Sequence, residues 1–260
     1  MQKIFSLIIA SIFAILFIYL SSRHHLTHNK VITINPVLPD FSQITDTEER
    51  KQAFINFLEP SITAVESDIC QARYYIKKDQ KTFWETGQIS YNEQIRLNII
   101  LRKYNIVPDD ALSASVFEQI LLQLNIIPRS LLLSQAALET NWGTSRFSKY
   151  ALNFFGQHCY ESNCGIPALG AKSVQIKKFS TAKDSIESYV TILNTSPRFA
   201  VFRQVRDALW VDGGKISTTP QLLNSFGDYA EIDKNEYVSR LIAIIKNNNL
   251  QMYDNYSCED

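Results

Sequence analysis

The sequence predicts an α+β fold that is mostly helical, with one small β lobe set between helices and a helical region in front of it. Three observations predict it. Apolar residues recur at helical spacing over most of the chain beyond residue 45. One segment, residues 153–179, breaks that pattern with Gly156, Gly165, Pro167 and Gly170 and then alternates at Val174, Ile176 and Phe179. Short polar start signals stand ahead of several helical runs.

The elements follow in chain order. Residues 4–20 are apolar except for Ser6, Ser11 and Tyr19, and Lys3 precedes them. This is the short end of a membrane span. Ser21-Ser22 makes a poor cleavage site after it, so residues 1–22 are expected to be an uncleaved anchor in the cytoplasmic membrane, with a cleaved export signal as the alternative. The remaining chain would then work on the outer, periplasmic side. Residues 23–45 are polar, carry Pro36 and Pro39, and read as a linker. Residues 46–125 read as a helical packing layer: Phe54, Phe57 and Leu58 form a stripe that Ile62, Val65 and Ile69 continue, and Val116, Phe117, Ile120, Leu121 and Leu124 mark a later helix. Residues 126–250 read as the domain that carries the chemistry, and 251–260 as a C-terminal tail.

Within that domain Pro128 opens a helix, where its missing N–H costs nothing. Leu131, Leu132, Leu133, Ala136, Ala137 and Leu138 follow, and Gly143 is a natural stop. Glu139 therefore falls in the last turn of a very apolar helix. The negative end of the helix dipole and the apolar neighbours both disfavour its charged form. After the β segment, Thr181 with Asp184 and Asp233 with Glu236 have capping-box spacing, and Pro220 starts a further helix.

Composition excludes some partners. The chain has 26 basic and 26 acidic residues, and no basic face is evident, so nucleic acid is not an expected partner. The four cysteines are Cys70, Cys159, Cys164 and Cys258. Export would permit disulfides. Cys159 and Cys164 enclose a turn-rich segment and suit a local bridge; parity alone pairs Cys70 with Cys258. Only His158 stands near, and no second cysteine pair has metal spacing, so no metal is expected.

A carboxylic acid held protonated is what glycoside hydrolysis needs beside the leaving oxygen. Glu139 suits that role, and Trp142 and Phe147 stand close enough in sequence to offer a sugar platform. The segment Leu132-Leu133-Ser134-Gln135-Ala136-Ala137-Leu138-Glu139-Thr140-Asn141-Trp142-Gly143 resembles the signature of the family 73 glycoside hydrolases, β-N-acetylglucosaminidases of the Bax and flagellar muralytic types. Asn153-Phe154-Phe155-Gly156 resembles their following loop, Asn194-Thr195-Ser196-Pro197 their next turn, and Gly227-Asp228-Tyr229-Ala230 with Tyr237 and Leu241 their closing motif.

The resemblance implies a lysozyme-like fold with a groove between helical body and β lobe, and no cofactor. It implies Glu139 as the catalytic acid, Tyr229 as a polar group in the groove, and Trp142, Asn153, Phe155 and Tyr237 as substrate contacts. The expected partner is the glycan strand of peptidoglycan, cut as an endo-β-N-acetylglucosaminidase; a muramidase, a lytic transglycosylase or an inactive glycan-binding module are the alternatives. Glu161 is the sole acid between Thr140 and Lys183 and is the candidate second carboxylate. A route in which the substrate's acetamido group attacks the anomeric carbon needs no second carboxylate.

Overall fold

The computed structural model describes residues 37–108, 111–161, 163–167, 174–209, 217–226 and 233–258, the side chain of Lys234 excepted. The apolar run at residues 4–20 and Tyr229 lie outside the described residues, among which no helix is long and apolar enough to cross a membrane.

Helix α1, Thr47–Thr86, is forty residues long. Asp46 accepts from the Glu49 N–H to cap it, Glu48 and Glu49 complement the dipole of the first turn, and Gly87 ends it in the left-handed conformation. It runs through Pro60 unbroken. An interior proline costs about 3 kcal/mol. Buried Phe54, Phe57 and Leu58 before it, and Ile62, Val65 and Ile69 after it, hold both halves against one core and offset that cost. Helix α2, Tyr91–Lys103, begins at a complete capping box of Ser90 and Glu93. Helix α3, Ala114–Gln123, leaves carbonyls open at its end; Arg73 from α1 takes those of Leu121 and Leu124, and Arg206 takes that of Leu122.

Helix α4, Arg129–Thr140, is the central element. Every residue from Arg129 to Ala137 is buried, which is the pattern of a helix packed on all sides. It lies against α1, the late helix at Lys234–Asn247 and a 3-10 turn at Leu250–Tyr253. Helix α5, Arg146–Ala151, follows directly. Then come β1 (His158–Cys159), β2 (Gly165–Pro167) and β3 (Gln175–Lys177), an antiparallel sheet in the order β1-β3-β2. Ile166 faces Ile176 in the β2–β3 register, as His158 does in β1–β3. Gly165 is required there: a Cβ would strike the Ile176 backbone carbonyl. Helices α6 (Ala182–Thr195, capped by Thr181), α7 (Ala200–Ala208), α8 (Pro220–Asn224) and α9 (Lys234–Asn247, capped by Asp233) complete the body.

Three expectations about organisation change. The layer at 46–125 and the domain at 126–250 share one continuous hydrophobic core, from Phe54 and Ile62 to Leu241 and Ile245. The linker expected through residue 45 ends inside the fold: Phe41 is fully buried against Phe54 and Phe57. Gly143, at φ +81°, leaves the space that the Phe41 ring needs. The tail expected at 251–260 is likewise built in. Asp254 accepts from the Ser130 N–H at 2.8 Å and the Ser130 hydroxyl at 2.6 Å, and Cys258 is bonded to Cys70. Pro128 offers no side-chain cap to α4, so Asp254 supplies one from 124 residues away.

Candidate active site

The site forms where α4 stops. Asn141, Trp142 and Gly143 all have positive φ, at 47°, 56° and 81°. A bulky tryptophan there is uncommon and holds only where its surroundings fix it. They do so here: the Asn141 and Trp142 N–H groups donate to the Ala137 carbonyl, the Gly143 N–H to the Thr140 hydroxyl, and the Ser148 hydroxyl to the Gly143 carbonyl. The chain turns sharply and leaves Glu139 half-buried one residue before the helix end.

Among the described residues, two groups meet the Glu139 carboxyl. The Tyr237 hydroxyl, from α9, donates to Oε1 at 3.4 Å. On the other side Gly156 brings bare backbone so close to Oε2 that a Cβ there would sit 3.3 Å from it. Burial raises the Glu139 pKa above the usual carboxylate value, and the Tyr237 bond pulls partly against it. The result is an acid that keeps its proton to higher pH than an exposed glutamate.

Gly156 is placed by Asn153. The Asn153 amide donates to the carbonyls of Gln157 and Lys177, and its oxygen accepts from the N–H groups of Phe155 and Gln157. All of this is buried, so Asn153 ties the loop after α5 to β3 and has no reach to a substrate. Phe155 is also buried and stacks on Tyr189 at 4.1 Å. Both were expected to contact sugar, and both are scaffold, because their motif turns its side chains into the body and its backbone toward Glu139. Trp142 is half-buried, edge-on to Phe54, with Lys51 Nζ 5.6 Å from the centre of its ring; it wedges the turn against α1. Tyr237 is buried beside Glu139 and holds its carboxyl from within.

Cys159 and Cys164 are joined across a turn, and Glu161 stands exposed within it. Its carboxylate makes no hydrogen bond or ion pair among the described residues, and only its backbone carbonyl is engaged, by the Cys164 N–H. No cluster of potential metal ligands occurs among the described residues. Gln135 and Gly156 stand inside the resembling segments, yet nothing in the sequence singles either out for a role at Glu139.

Gly156→Ala is expected to cost about 1–2 kcal/mol of stability from its left-handed backbone, and to slow turnover further through crowding at Oε2. Comparing unfolding midpoint and rate for the variant tests this; unchanged turnover in folded protein would remove Gly156 from the site.

A half-buried carboxyl with a raised pKa at the end of an apolar helix is the kind of acid that glycoside hydrolysis uses. A family model described as mannosyl-glycoprotein endo-beta-N-acetylglucosaminidase matches residues 114–250, more than half of the chain. The chain belongs to this glucosaminidase family, glycoside hydrolase family 73. The match begins at the start of α3, inside the region expected to be a separate layer. Protein bax from Escherichia coli is 29% identical over 211 residues, covering 81% of this chain and 74% of bax. Against the crystal structure of the catalytic domain of the autolysin Auto from Listeria monocytogenes, the TM-score is 0.37 at 17% identity, over 80% of this chain and 97% of that one.

Proposed function

We propose that this glycoside hydrolase cuts the glycan backbone of peptidoglycan as an endo-β-N-acetylglucosaminidase, outside the cytoplasmic membrane, with residues 4–20 holding it there. The observation that carries the reading is Glu139, whose pKa is raised by burial, in the last turn of an apolar helix in a chain of the glucosaminidase family. Glu139 gives its proton to the glycosidic oxygen as the bond from that oxygen to the anomeric carbon breaks. Water adds its oxygen to that carbon and releases a proton, and Glu139 is reprotonated for the next turnover. No metal or organic cofactor enters this scheme.

Glu161 and Tyr229 are the candidates for the second role. The exposure of Glu161 in the disulfide turn argues for Tyr229, or for attack by the substrate's own acetamido oxygen followed by water. Tyr229→Phe is expected to lose more activity than Glu161→Gln, which should be nearly silent; the reverse order, on one wall preparation, would restore a two-carboxylate mechanism. Product analysis tests the bond chosen. A new reducing end on N-acetylglucosamine supports the proposal, whereas a muramic or anhydromuramic end overturns it.

A further inference from the structure

Gln135 stands four residues before Glu139 on α4, so the two side chains share a face. It is fully buried, at a level of the helix lined by Leu and Ala. Its Nε2 donates to the Tyr237 hydroxyl at 3.1 Å, and that hydroxyl donates to Glu139 Oε1. The other half of the amide, Oε1, has no hydrogen-bond partner among the described residues. A buried unpaired carbonyl opposes folding, and a methionine of similar shape would not carry that penalty. The amide is therefore held for what its N–H does.

A phenol has one proton and an oxygen able to accept. An N–H aimed at the Tyr237 oxygen fills an acceptor position and leaves the phenol proton to be given away. Glu139 Oε1 receives it. In the protonated acid, the oxygen that accepts this bond is the carbonyl oxygen, and the acid proton resides on Oε2. Oε2 is the oxygen beside Gly156, where no side chain intervenes.

We propose that Gln135 is a positioning residue of the reaction: through Tyr237 it holds Glu139 Oε1 as an acceptor, and so keeps the transferable proton on Oε2, the oxygen beside Gly156. The inference rests on Glu139 being the acid. The same donor chain serves both halves of the cycle. Before transfer it fixes which oxygen is protonated; after transfer it stabilises the carboxylate, with no side chain required to rotate.

The test uses the full chain with Gln135→Met, Tyr237→Phe and the double variant. The Glu139 carboxyl is titrated by carbon-13 NMR, assigned by its loss in Glu139→Gln, and the pH profile of kcat/KM is measured on soluble glycan fragments. Tyr237 on α9 is the ionisable group that faces Glu139; α1, α5 and the loop at Gly156 bring no other to bear among the described residues.

Gln135→Met is expected to raise the Glu139 pKa in the direction Tyr237→Phe does, and by less. The alkaline limb moves upward in pH, kcat falls about 2–10-fold, the rate equivalent of one ordinary hydrogen bond, KM holds, and the melting temperature does not fall. The double variant should match Tyr237→Phe alone. A Gln135→Met protein with a wild-type titration and profile, beside a shifted Tyr237→Phe, overturns the proposal and leaves Gln135 a filler of space. Should Gln135→Met not fold, Gln135→Asn, whose N–H is drawn back by one methylene, carries the same expectation and the same refutation. The titration needs no substrate, so it decides the relay even for a protein that proves not to cut peptidoglycan, a result that would sink the function and not this arrangement.

Discussion

Glu139→Gln protein is expected to fold as the wild type does and to digest purified peptidoglycan about 10²–10⁴-fold more slowly. The amide keeps the shape of the side chain, and its oxygen can still accept from Tyr237 at the position of Oε1. What it lacks is a proton to give. Stability should move the other way. Burial raises the Glu139 pKa in the folded protein, so the protein tolerates the neutral form and is penalised for the charged one. The wild type therefore loses stability as pH rises through that folded pKa, while the Gln variant does not. Unfolding midpoints at acid and alkaline pH should agree in the first case and favour the variant in the second. A variant that digests walls at the wild-type rate removes Glu139 from the chemistry altogether.

The largest effect on stability is expected from the Cys70–Cys258 bond. Its sequence separation is 188, against 5 for Cys159–Cys164. Constraint of the unfolded chain grows with the loop closed, and a loop of this size is worth about 5 kcal/mol at the upper end, a short one far less. Replacing Cys70 and Cys258 together by Ala should lower the urea midpoint sharply. The same change at Cys159 and Cys164 should lower it little and act instead on the shape of the β lobe. Equal midpoints for the two double variants, measured without reductant, would refute this ordering. The long bond also fixes the segment that presents Asp254 to Ser130, so its loss loosens the start of the helix that carries Glu139.

What could be read from the sequence was what is local. Pro128 and the apolar run marked α4, and Thr181 and Asp233 marked the starts of α6 and α9. Glycines, a proline and a short alternation marked the β lobe. The position of Glu139 in the last turn followed from these, and with it the cause of its raised pKa. What depended on contacts far apart in sequence was not legible. Nothing near Pro128 announces a cap at Asp254, nothing near Gly143 announces the ring of Phe41, and Cys70 had only parity to suggest its partner. Asn153 and Phe155 failed for another reason. A motif shows that a loop must have one shape, but the side chains that enforce the shape and those that face the ligand are both needed for it. Here the hydrogen bonds of Asn153 are spent inward, and Gly156 is what reaches the acid.

Asp254 stands 124 residues after the serine it caps, and Cys258 stands 188 after its partner. A chain made from its N-terminus has the whole of α4, Glu139 included, before it has either. Until that late segment arrives, the first turn of α4 keeps open N–H groups and the long helix α1 keeps a free thiol. The closing contacts of the fold are thus delivered in the order of synthesis, and the helix that carries Glu139 is capped and tied only by the late segment.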